Sequence, residues 1–158
     1  MEIRPVVATD RPWVTGLLTE HWGSPELVSR GRKHDGASLP GYAALLAGER
    51  VGLATYRVDA DQCEMVSLNS LVERRGIGTA LVTAVARRAR EAGCRRLWLI
   101  TTNDNLAAQD FYRNRGFTLA ELHRGALAES RRLKPSIPLI GLNGIPLEDE
   151  LEFAIELG

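Results

Sequence analysis

The spacing of apolar residues predicts a run of β-strands in the first half of the chain. Apolar segments at 41–48, 50–58 and 63–72 follow one another with only short polar connections between them. Such a series is typical of an antiparallel meander. A shorter apolar stretch at 2–7 predicts a first strand. Pro5 places that strand near an edge or an end of the sheet, because proline cannot donate a ladder hydrogen bond.

Helical spacing predicts a first helix that begins near Pro12 and ends at Gly23. Its apolar positions recur three or four residues apart or side by side: Trp13, Leu17 and Leu18. Residues 24–31 predict a second, short helix capped by Ser24. The polar, glycine-containing stretch 32–40 predicts a loop.

Helices and strands alternate after the meander. Four apolar residues define one face of a helix that Gly93 terminates: Leu81, Val85, Ala89 and Ala92. A strand is predicted at 94–102, a helix at 105–116 and another strand at 117–124. The second half is therefore predicted to mix helices and strands.

The tail predicts a tight turn and a closing strand. Asn143 and Gly144 form a strong signal for a tight turn, because both residues tolerate a positive φ. In the segment 150–157, apolar and mostly acidic residues alternate, which predicts a strand with one buried face. The apolar set is Leu151, Phe153, Ile155 and Leu157, and the other set is Glu150, Glu152, Ala154 and Glu156.

Length and composition limit the classes of protein that fit this pattern. A chain of 158 residues predicts a single domain, 1–158. Twenty basic residues balance twenty acidic ones, so no nucleic-acid partner is expected. The uncharged stretches are too short to span a bilayer, and no secretion signal is visible, so no membrane partner and a cytoplasmic location are expected.

The cysteine and histidine residues predict neither a disulfide framework nor a metal site. Cys63 and Cys94 are interpreted as free thiols in a reducing compartment. The histidines lie far apart, without the spacing of metal ligands, and are expected on the surface or in loops: His21, His34 and His123.

The loop 73–78, with the sequence ERRGIG, is a candidate anion site. The first amides of a helix are unpaired and attract negative charge, and Gly76 and Gly78 let a phosphate approach the backbone. A plain joint between a loop and a helix explains the same residues equally well. A dinucleotide fingerprint does not fit, because Leu81 stands where a third glycine is needed. A P-loop triplet is also missing.

The order of these parts resembles the GNAT superfamily of acetyl-CoA-dependent N-acetyltransferases. Its first signature, Gln/Arg-x-x-Gly-x-Gly/Ala, matches residues 73–78, except that Glu73 replaces Gln or Arg. Its second signature, Asn-x-x-Ala-x-x-Phe-Tyr-x-x-x-Gly-Phe, is filled at every position by Asn105, Ala108, Phe111, Tyr112, Gly116 and Phe117. The resemblance covers about residues 2–124. It implies an α+β (mixed α/β) fold with a mostly antiparallel, twisted sheet of about six to seven strands and helices on both faces.

The resemblance also assigns residues to the binding of acetyl-CoA, the acetyl donor. The loop and helix start implied to hold the coenzyme pyrophosphate comprise Arg74, Arg75, Gly76, Ile77, Gly78 and Thr79. The strand positions implied to pair with the pantetheine arm are Val66, Ser67 and Leu68, and the Leu68 amide would be an oxyanion donor. Asn105 matches a residue that hydrogen-bonds the coenzyme, and Tyr112 matches the general acid that protonates the leaving thiolate.

The general base is less clearly indicated. The strand at 94–102 carries no acidic residue, and Glu64 is the only carboxylate on the preceding strand. Strand alternation places Glu64 on the face of Val66 and Leu68 unless a bulge intervenes. Glu64 could accept the amine proton, or it could be a solvated strand end. Asp104 is a second candidate base, or part of a helix cap.

These residues predict an N-acetyltransferase that moves an acetyl group to a primary amine in a ternary complex. The acceptor is a small molecule or a peptide, and Glu20, His21 and Trp22 could line its site. The alternatives are a larger acyl donor and a non-catalytic acyl-CoA sensor or interaction module. The turn in the tail could also supply a surface for a homodimer.

Overall fold

The structure, a computed structural model, describes residues 1–158 and contains nine β-strands and four α-helices. The strands are β1 Glu2–Pro5, β2 Glu26–Ser29, β3 Arg32–Asp35, β4 Gly41–Leu46, β5 Glu49–Asp59, β6 Gln62–Ser70, β7 Arg96–Thr102, β8 Thr118–His123 and β9 Glu150–Glu156. The helices are α1 Arg11–Trp22, α2 Ile77–Glu91, α3 Leu106–Asn114 and α4 Ala126–Leu133. None of them combines the length and the apolar composition that crossing a membrane requires.

Seven strands form one mostly antiparallel sheet in the order β1-β4-β5-β6-β7-β9-β8, and β2 pairs with β3 in a second sheet. The predicted α+β class and strand number are therefore confirmed. The meander is also confirmed, because β4, β5 and β6 pair antiparallel with one another in chain order. β1 lies at the edge, where Pro5 predicted it.

Contacts divide the chain into two compact units. The first unit comprises residues 1–27, 35–97 and 156–158. Within it, α1 and α2 pack on opposite faces of β5, because Leu53 belongs to the apolar cluster of α1 while the neighbouring Gly52 lies against Ile77 of α2. Leu53 packs there with α1 residues Val14, Leu17 and Leu18. Helices thus cover both faces of this part of the sheet, as predicted.

An ion-pair cluster in the first unit ties β1 and β5 to the start of α1. Asp10 is fully buried, and its carboxylate accepts hydrogen bonds from Arg4 at 2.6 Å, Arg50 at 2.9 Å and the Val7 amide at 2.8 Å. These bonds, that of Arg4 first, hold the pKa of Asp10 far below its usual range. Both carboxylate oxygens of Asp10 thus accept hydrogen bonds, from two guanidinium groups and one main-chain amide.

The second unit comprises residues 28–34 and 98–155. Its centre is aromatic: the Tyr112 ring lies 5.7 Å from Phe117 and 6.3 Å from Phe153, between ring centroids. The tail is held by polar contacts to its main chain. The Asn103 side chain accepts from the Glu148 and Asp149 amides and donates to the Pro146 carbonyl.

The turn predicted at Asn143 and Gly144 is confirmed, because φ is 58° at Asn143 and 70° at Gly144. Its flanks form an isolated β-bridge between Ile140 and Pro146. Arg131 of α4 also donates to the main-chain carbonyls of this segment. The acceptors are those of Ile137, Pro138 and Leu147.

Three expectations of secondary structure were wrong, and one helix was not predicted. The short helix predicted at 24–31 is strand β2, and the loop predicted at 32–40 contains strand β3. Leu27 and Ser29 point inward two residues apart, and a turn with positive φ at Arg30 and Gly31 joins the strands. This alternation over four residues was too short to outweigh the Ser24 capping signal.

The other two concern the tail. Helix α4 was not predicted, although the left-handed Gly125 precedes it. Strand β9 is not buried on one face only, because Glu150 and Ala154 are buried as well as Leu151 and Phe153. β9 lies between β7 and β8, so it is an internal strand rather than an edge.

Candidate functional site

Helix α2 begins without a side-chain cap. Gly76 is its N-cap residue in the left-handed conformation, with φ 69° and ψ 16°, and provides no side-chain cap hydrogen bond. The first helical hydrogen bond runs from the Ala80 amide to the Gly76 carbonyl at 3.0 Å. Ile77 and Gly78 are buried, whereas Arg74, Arg75, Gly76 and Thr79 are exposed. An uncapped helix start next to two exposed cations is suited to an anion.

The conformation of the loop explains why Gly76 is a glycine. A Cβ atom there would meet no atom within 4 Å, so its positive φ, and not a lack of space, selects glycine. Arg74 also has a positive φ, 60°, which is strained for a residue with a side chain. The loop therefore keeps two left-handed residues close to the helix start.

The position of α2 depends on Gly52, which the sequence analysis did not single out. A Cβ atom at Gly52 would lie 2.6 Å from Cγ2 of Ile77 and 3.0 Å from Cδ1 of Leu81. The first turn of α2 thus rests directly on the backbone of β5. The only signal in the sequence was a glycine inside a predicted strand.

A β-bulge at Val66 changes the faces of β6. Met65 pairs with Tyr56 and Ser67 pairs with Thr55, so Val66 has no partner residue in β5. Strand alternation had placed Glu64 with Val66 and Leu68 unless a bulge occurred. The bulge does occur, and Glu64 instead shares a face with Ser67, because their partners Arg57 and Thr55 lie two residues apart in β5.

Glu64 is held in place by Arg57. Its side chain is 2% exposed, and Oε1 accepts a hydrogen bond from Nε of Arg57 at 2.8 Å. It is therefore not a solvated strand end. Ser67 is also buried, and its hydroxyl lies 2.5 Å from that of Thr55. The four residues of β6 expected to act together therefore do not share one face. Glu64 and Ser67 lie on one face, Val66 lies in the bulge, and the half-buried Leu68 follows Ser67.

Asn69 extends this polar row and was missed by the sequence analysis. It pairs with Leu53, so its side chain lies on the face of the sheet that α1 covers. Its Oδ1 atom is buried and has no hydrogen-bond partner. A buried acceptor without a partner is unfavourable in a folded protein, which marks Asn69 as a candidate contact for a ligand. Nothing in the sequence distinguished it from other strand residues.

Tyr112 lies in helix α3 and is 8% exposed. Aromatic rings surround it, with the Phe111 ring at 5.2 Å in an edge-to-face arrangement. Burial raises the pKa of Tyr112 well above 10.0, and Arg115 offsets only part of the rise. No group of the chain accepts a hydrogen bond from its hydroxyl. The side chain therefore offers a proton donor that remains protonated at neutral and moderately alkaline pH.

Asn105 caps helix α3. Its Oδ1 atom accepts a hydrogen bond from the Ala108 amide at 3.1 Å. The neighbouring Asp104 is buried and supports the tail, because its carboxylate accepts from the Thr102 hydroxyl at 2.5 Å and from the Leu142 amide at 2.8 Å. Asp104 thus stabilises the tail. The side-chain oxygen of Asn105 is used in capping α3, whereas its NH₂ group is not.

The residues predicted to line an acceptor site have different surroundings. Glu20, His21 and Trp22 are exposed at the end of α1.

The expectation that every histidine lies on the surface or in a loop was wrong for His123, which lies in strand β8 with its side chain 10% exposed, and for His34. It is buried in strand β3, with Nε2 2.9 Å from the Ser29 hydroxyl.

Comparisons with known proteins give a consistent result. The model of the acetyltransferase (GNAT) family matches residues 10–117. Two similar proteins are the uncharacterized proteins YdhI and YxbD of Bacillus subtilis (strain 168). YdhI is 42% identical over 142 residues, 89% of each chain. YxbD is 40% identical over 158 residues, 99% of each chain. A GNAT family acetyltransferase from Elizabethkingia anophelis, solved with acetyl-CoA bound, superposes with a TM-score of 0.71 at 18% identity, over 98% of this chain and 97% of that one.

Proposed function

The chain belongs to the acetyltransferase (GNAT) family, and we propose that it is an N-acetyltransferase that uses acetyl-CoA to acetylate a primary amine. The acceptor is a small molecule or a peptide, attacked directly in a ternary complex. The observation that carries the proposal is the start of α2, where the N-cap residue is a left-handed Gly76 that makes no side-chain cap hydrogen bond. That arrangement suits the pyrophosphate of coenzyme A.

Coenzyme binding is assigned to two segments. Arg74 and Arg75 supply positive charge, and the backbone of residues 76–79 supplies N–H donors. The bulge at Val66 supports the second assignment, since a residue without a partner in β5 has main-chain groups for the pantetheine arm. In this proposal Val66, Ser67 and Leu68 bind the arm, and the amide of Leu68 stabilises the oxyanion. Asn105 contributes its side-chain amide group.

The chemistry requires one proton donor and one proton acceptor. The neutral amine attacks the thioester carbonyl carbon, a C–N bond forms, and the C–S bond breaks. Tyr112 gives its proton to the departing thiolate, and Glu64 takes the proton that the amine loses, directly or through water. Solvent then restores both groups. The unpaired hydroxyl of Tyr112 supports the first role, and the burial of Glu64 in a polar row supports the second.

The test is release of free coenzyme A thiol from acetyl-CoA in the presence of an amine panel. Metabolites, aminoglycosides and peptide N termini cover the expected acceptors. Glu64→Gln should reduce release with the best acceptor, whereas the surface variant Glu129→Gln should not. Absence of release above the rate without amine, for every acceptor, would contradict the enzyme assignment.

A non-catalytic acyl-CoA sensor is the second candidate function. Arg57 holds Oε1 of Glu64 in an ion pair, and β7 carries no carboxylate that could replace Glu64 as base. Calorimetry distinguishes the two candidates. Tight binding of acetyl-CoA without turnover would favour the sensor. Comparing rates with acetyl-, propionyl- and succinyl-CoA then decides whether the transferred group is strictly acetyl.

We further propose that the protein acts in the cytoplasm, as one domain over residues 1–158. Both cysteines are free and buried, which suits a reducing compartment. A homodimer is proposed through the exposed apolar residues of the tail turn, which are Leu139, Ile140 and Leu142. Light scattering reports the mass in solution, and a single unfolding transition by two probes would support one cooperative domain.

A further inference from the structure

A cluster of possible metal ligands lies on one face of the β8–β9 pair. Glu121 and His123 are two residues apart in β8, so both side chains point to the same side. Glu152 lies directly opposite Glu121 in β9. One ligand atom from each of these three residues lies within 4.8 Å of the other two. The antiparallel register therefore brings an imidazole and two carboxylates together without a loop.

The separations suit a small divalent transition metal. Nε2 of His123 lies 3.1 Å from Oε1 of Glu152 and 3.8 Å from Oε2 of Glu121. Zinc binds imidazole nitrogen and carboxylate oxygen at about 2.0–2.2 Å, which places tetrahedral ligand atoms about 3.4 Å apart. The two separations bracket that value. Small rotations of the side chains would thus bring these two pairs to metal-binding distance.

We propose that Glu121, His123 and Glu152 form a binding site for Zn²⁺ or a similar transition-metal ion. Three protein ligands leave the remaining coordination position to water, which is the usual arrangement of an open site. The side chain of Glu121 is 63% exposed, so the ion has a path from solvent. Those of His123 and Glu152 are 10% and 12% exposed, so their orientations are fixed by packing. The ion would join the edge strand β8 to β9.

Arg30 competes with the ion for Glu152. Its Nε atom lies 3.7 Å from Oε1 of Glu152, and its backbone amide donates to Oε1 of Glu150 at 3.1 Å. A dication at Glu152 would repel the guanidinium, because like charges at this separation are unfavourable. Replacing the Arg30 side chain removes this repulsion but retains the backbone contact to Glu150. Replacing Arg30 should therefore raise the affinity for the metal, whereas replacing a ligand such as Glu121 should lower it.

The sequence could not predict this site, because His123 and Glu152 are 29 positions apart and come together only through strand pairing. The thiols are poor competitors for the metal. Cys63 and Cys94 are both buried, and burial raises the pKa of Cys63 to about 12, so thiolate formation there is suppressed at neutral pH. Metal bound at neutral pH is thus expected at the imidazole and carboxylates.

The experiment is calorimetric titration of the untagged, full-length protein with Zn²⁺, repeated with Co²⁺ to follow its absorption bands. We expect one equivalent to bind. His123→Ala and Glu121→Gln should each lower the affinity at least about tenfold, and Arg30→Gln should raise it several-fold. His21→Ala, at an exposed histidine in α1, is the matched control and should leave the affinity unchanged.

Circular dichroism checks that each variant is folded, and Glu121→Gln is the safer ligand variant because its side chain is mostly exposed. The proposal is overturned if the protein and Arg30→Gln bind no zinc at 100-fold molar excess. It is equally overturned if His123→Ala and Glu121→Gln bind as tightly as the unaltered chain, since the ion then lies elsewhere. Acetyl transfer is measured separately, so the outcome for zinc does not depend on the proposed activity.

Discussion

Replacing Tyr112 by phenylalanine should separate catalysis from stability. The change removes only the hydroxyl, and the ring can keep its contacts with Phe111, Phe117 and Phe153. A residue with a purely structural hydroxyl loses stability on this change, because a hydrogen bond contributes about 1 kcal/mol. The hydroxyl of Tyr112 has no partner in the chain, so no such bond is lost.

The expected magnitudes follow from that geometry. The only fully buried side-chain N or O atoms without a partner are Asn69 Oδ1 and Ser130 Oγ, so removing the Tyr112 hydroxyl relieves no buried unpaired group either, and Tyr112→Phe should have a free energy of unfolding within about 1 kcal/mol of that of the unaltered protein. For a chain of this length, 1 kcal/mol corresponds to about 2–4 °C in Tm. The loss of the proposed general acid, in contrast, should lower kcat by about 100-fold or more.

The assay measures thiol release under saturating acetyl-CoA, together with urea and thermal unfolding of the same samples. Tyr42→Phe is the matched control. Tyr42 stacks on Tyr56 with ring centroids 5.9 Å apart and belongs to no proposed catalytic role. Its kcat should change less than about threefold. The reasoning would be refuted if Tyr112→Phe kept its full activity, or if Tm fell by more than about 3 °C.

Three further predictions follow from other contacts. Gly52→Ala should push Ile77 away from β5, lower the free energy of unfolding by about 1–3 kcal/mol and weaken coenzyme A binding in calorimetry. The control is Gly16→Ala in α1, where a Cβ meets nothing within 4 Å, and it should raise the free energy of unfolding by about 0.5–1 kcal/mol. Equal stabilities of the two variants would argue against this placement of α2. Asn105→Ala should lose about 1 kcal/mol as a helix cap, and Asn105→Ser should restore stability; a coenzyme affinity that stays low in the serine variant would indicate a direct contact by the amide. Arg4, Val7 and Arg50 lower the pKa of Asp10 in the folded protein. The ionised carboxylate therefore contributes to stability above its unfolded pKa near 3.8, and this contribution is lost as the pH falls below that value. The urea midpoint should thus fall less between pH 5 and about pH 3 in Asp10→Asn than in the unaltered chain.

The elements with long patterns could be predicted from the sequence, and the short ones could not. Helix α2 and the meander contain enough apolar positions to fix both their type and their order. The hairpin at Glu26–Ser29 and Arg32–Asp35 contains four residues per strand. Its formation depends on the left-handed turn at Arg30 and Gly31, and an arginine carries no signal for such a turn.

The candidate site shows the same limit. The two signatures indicated Gly76, Asn105 and Tyr112 as candidates, because their residue types and spacing are local. The side on which Glu64 lies depends on the bulge at Val66, which is a property of the pairing between two strands. Asn69 and Gly52 depend on contacts with other elements, so no local pattern could identify them.

The extra residue at Val66 has a consequence for how β6 tolerates change. Every other position from Gln62 to Ser70 is matched to a residue of β5, and the matches on either side of Val66 are already consecutive in that strand. Excision of this one amino acid would leave all those matches intact and keep each neighbouring side chain on its present side. It would straighten the strand and remove the contact of Val66 with the α1 apolar cluster, together with the main-chain groups that the proposed function assigns to the pantetheine arm. Deleting one codon can therefore remove the kink without changing how the rest of β6 pairs with β5.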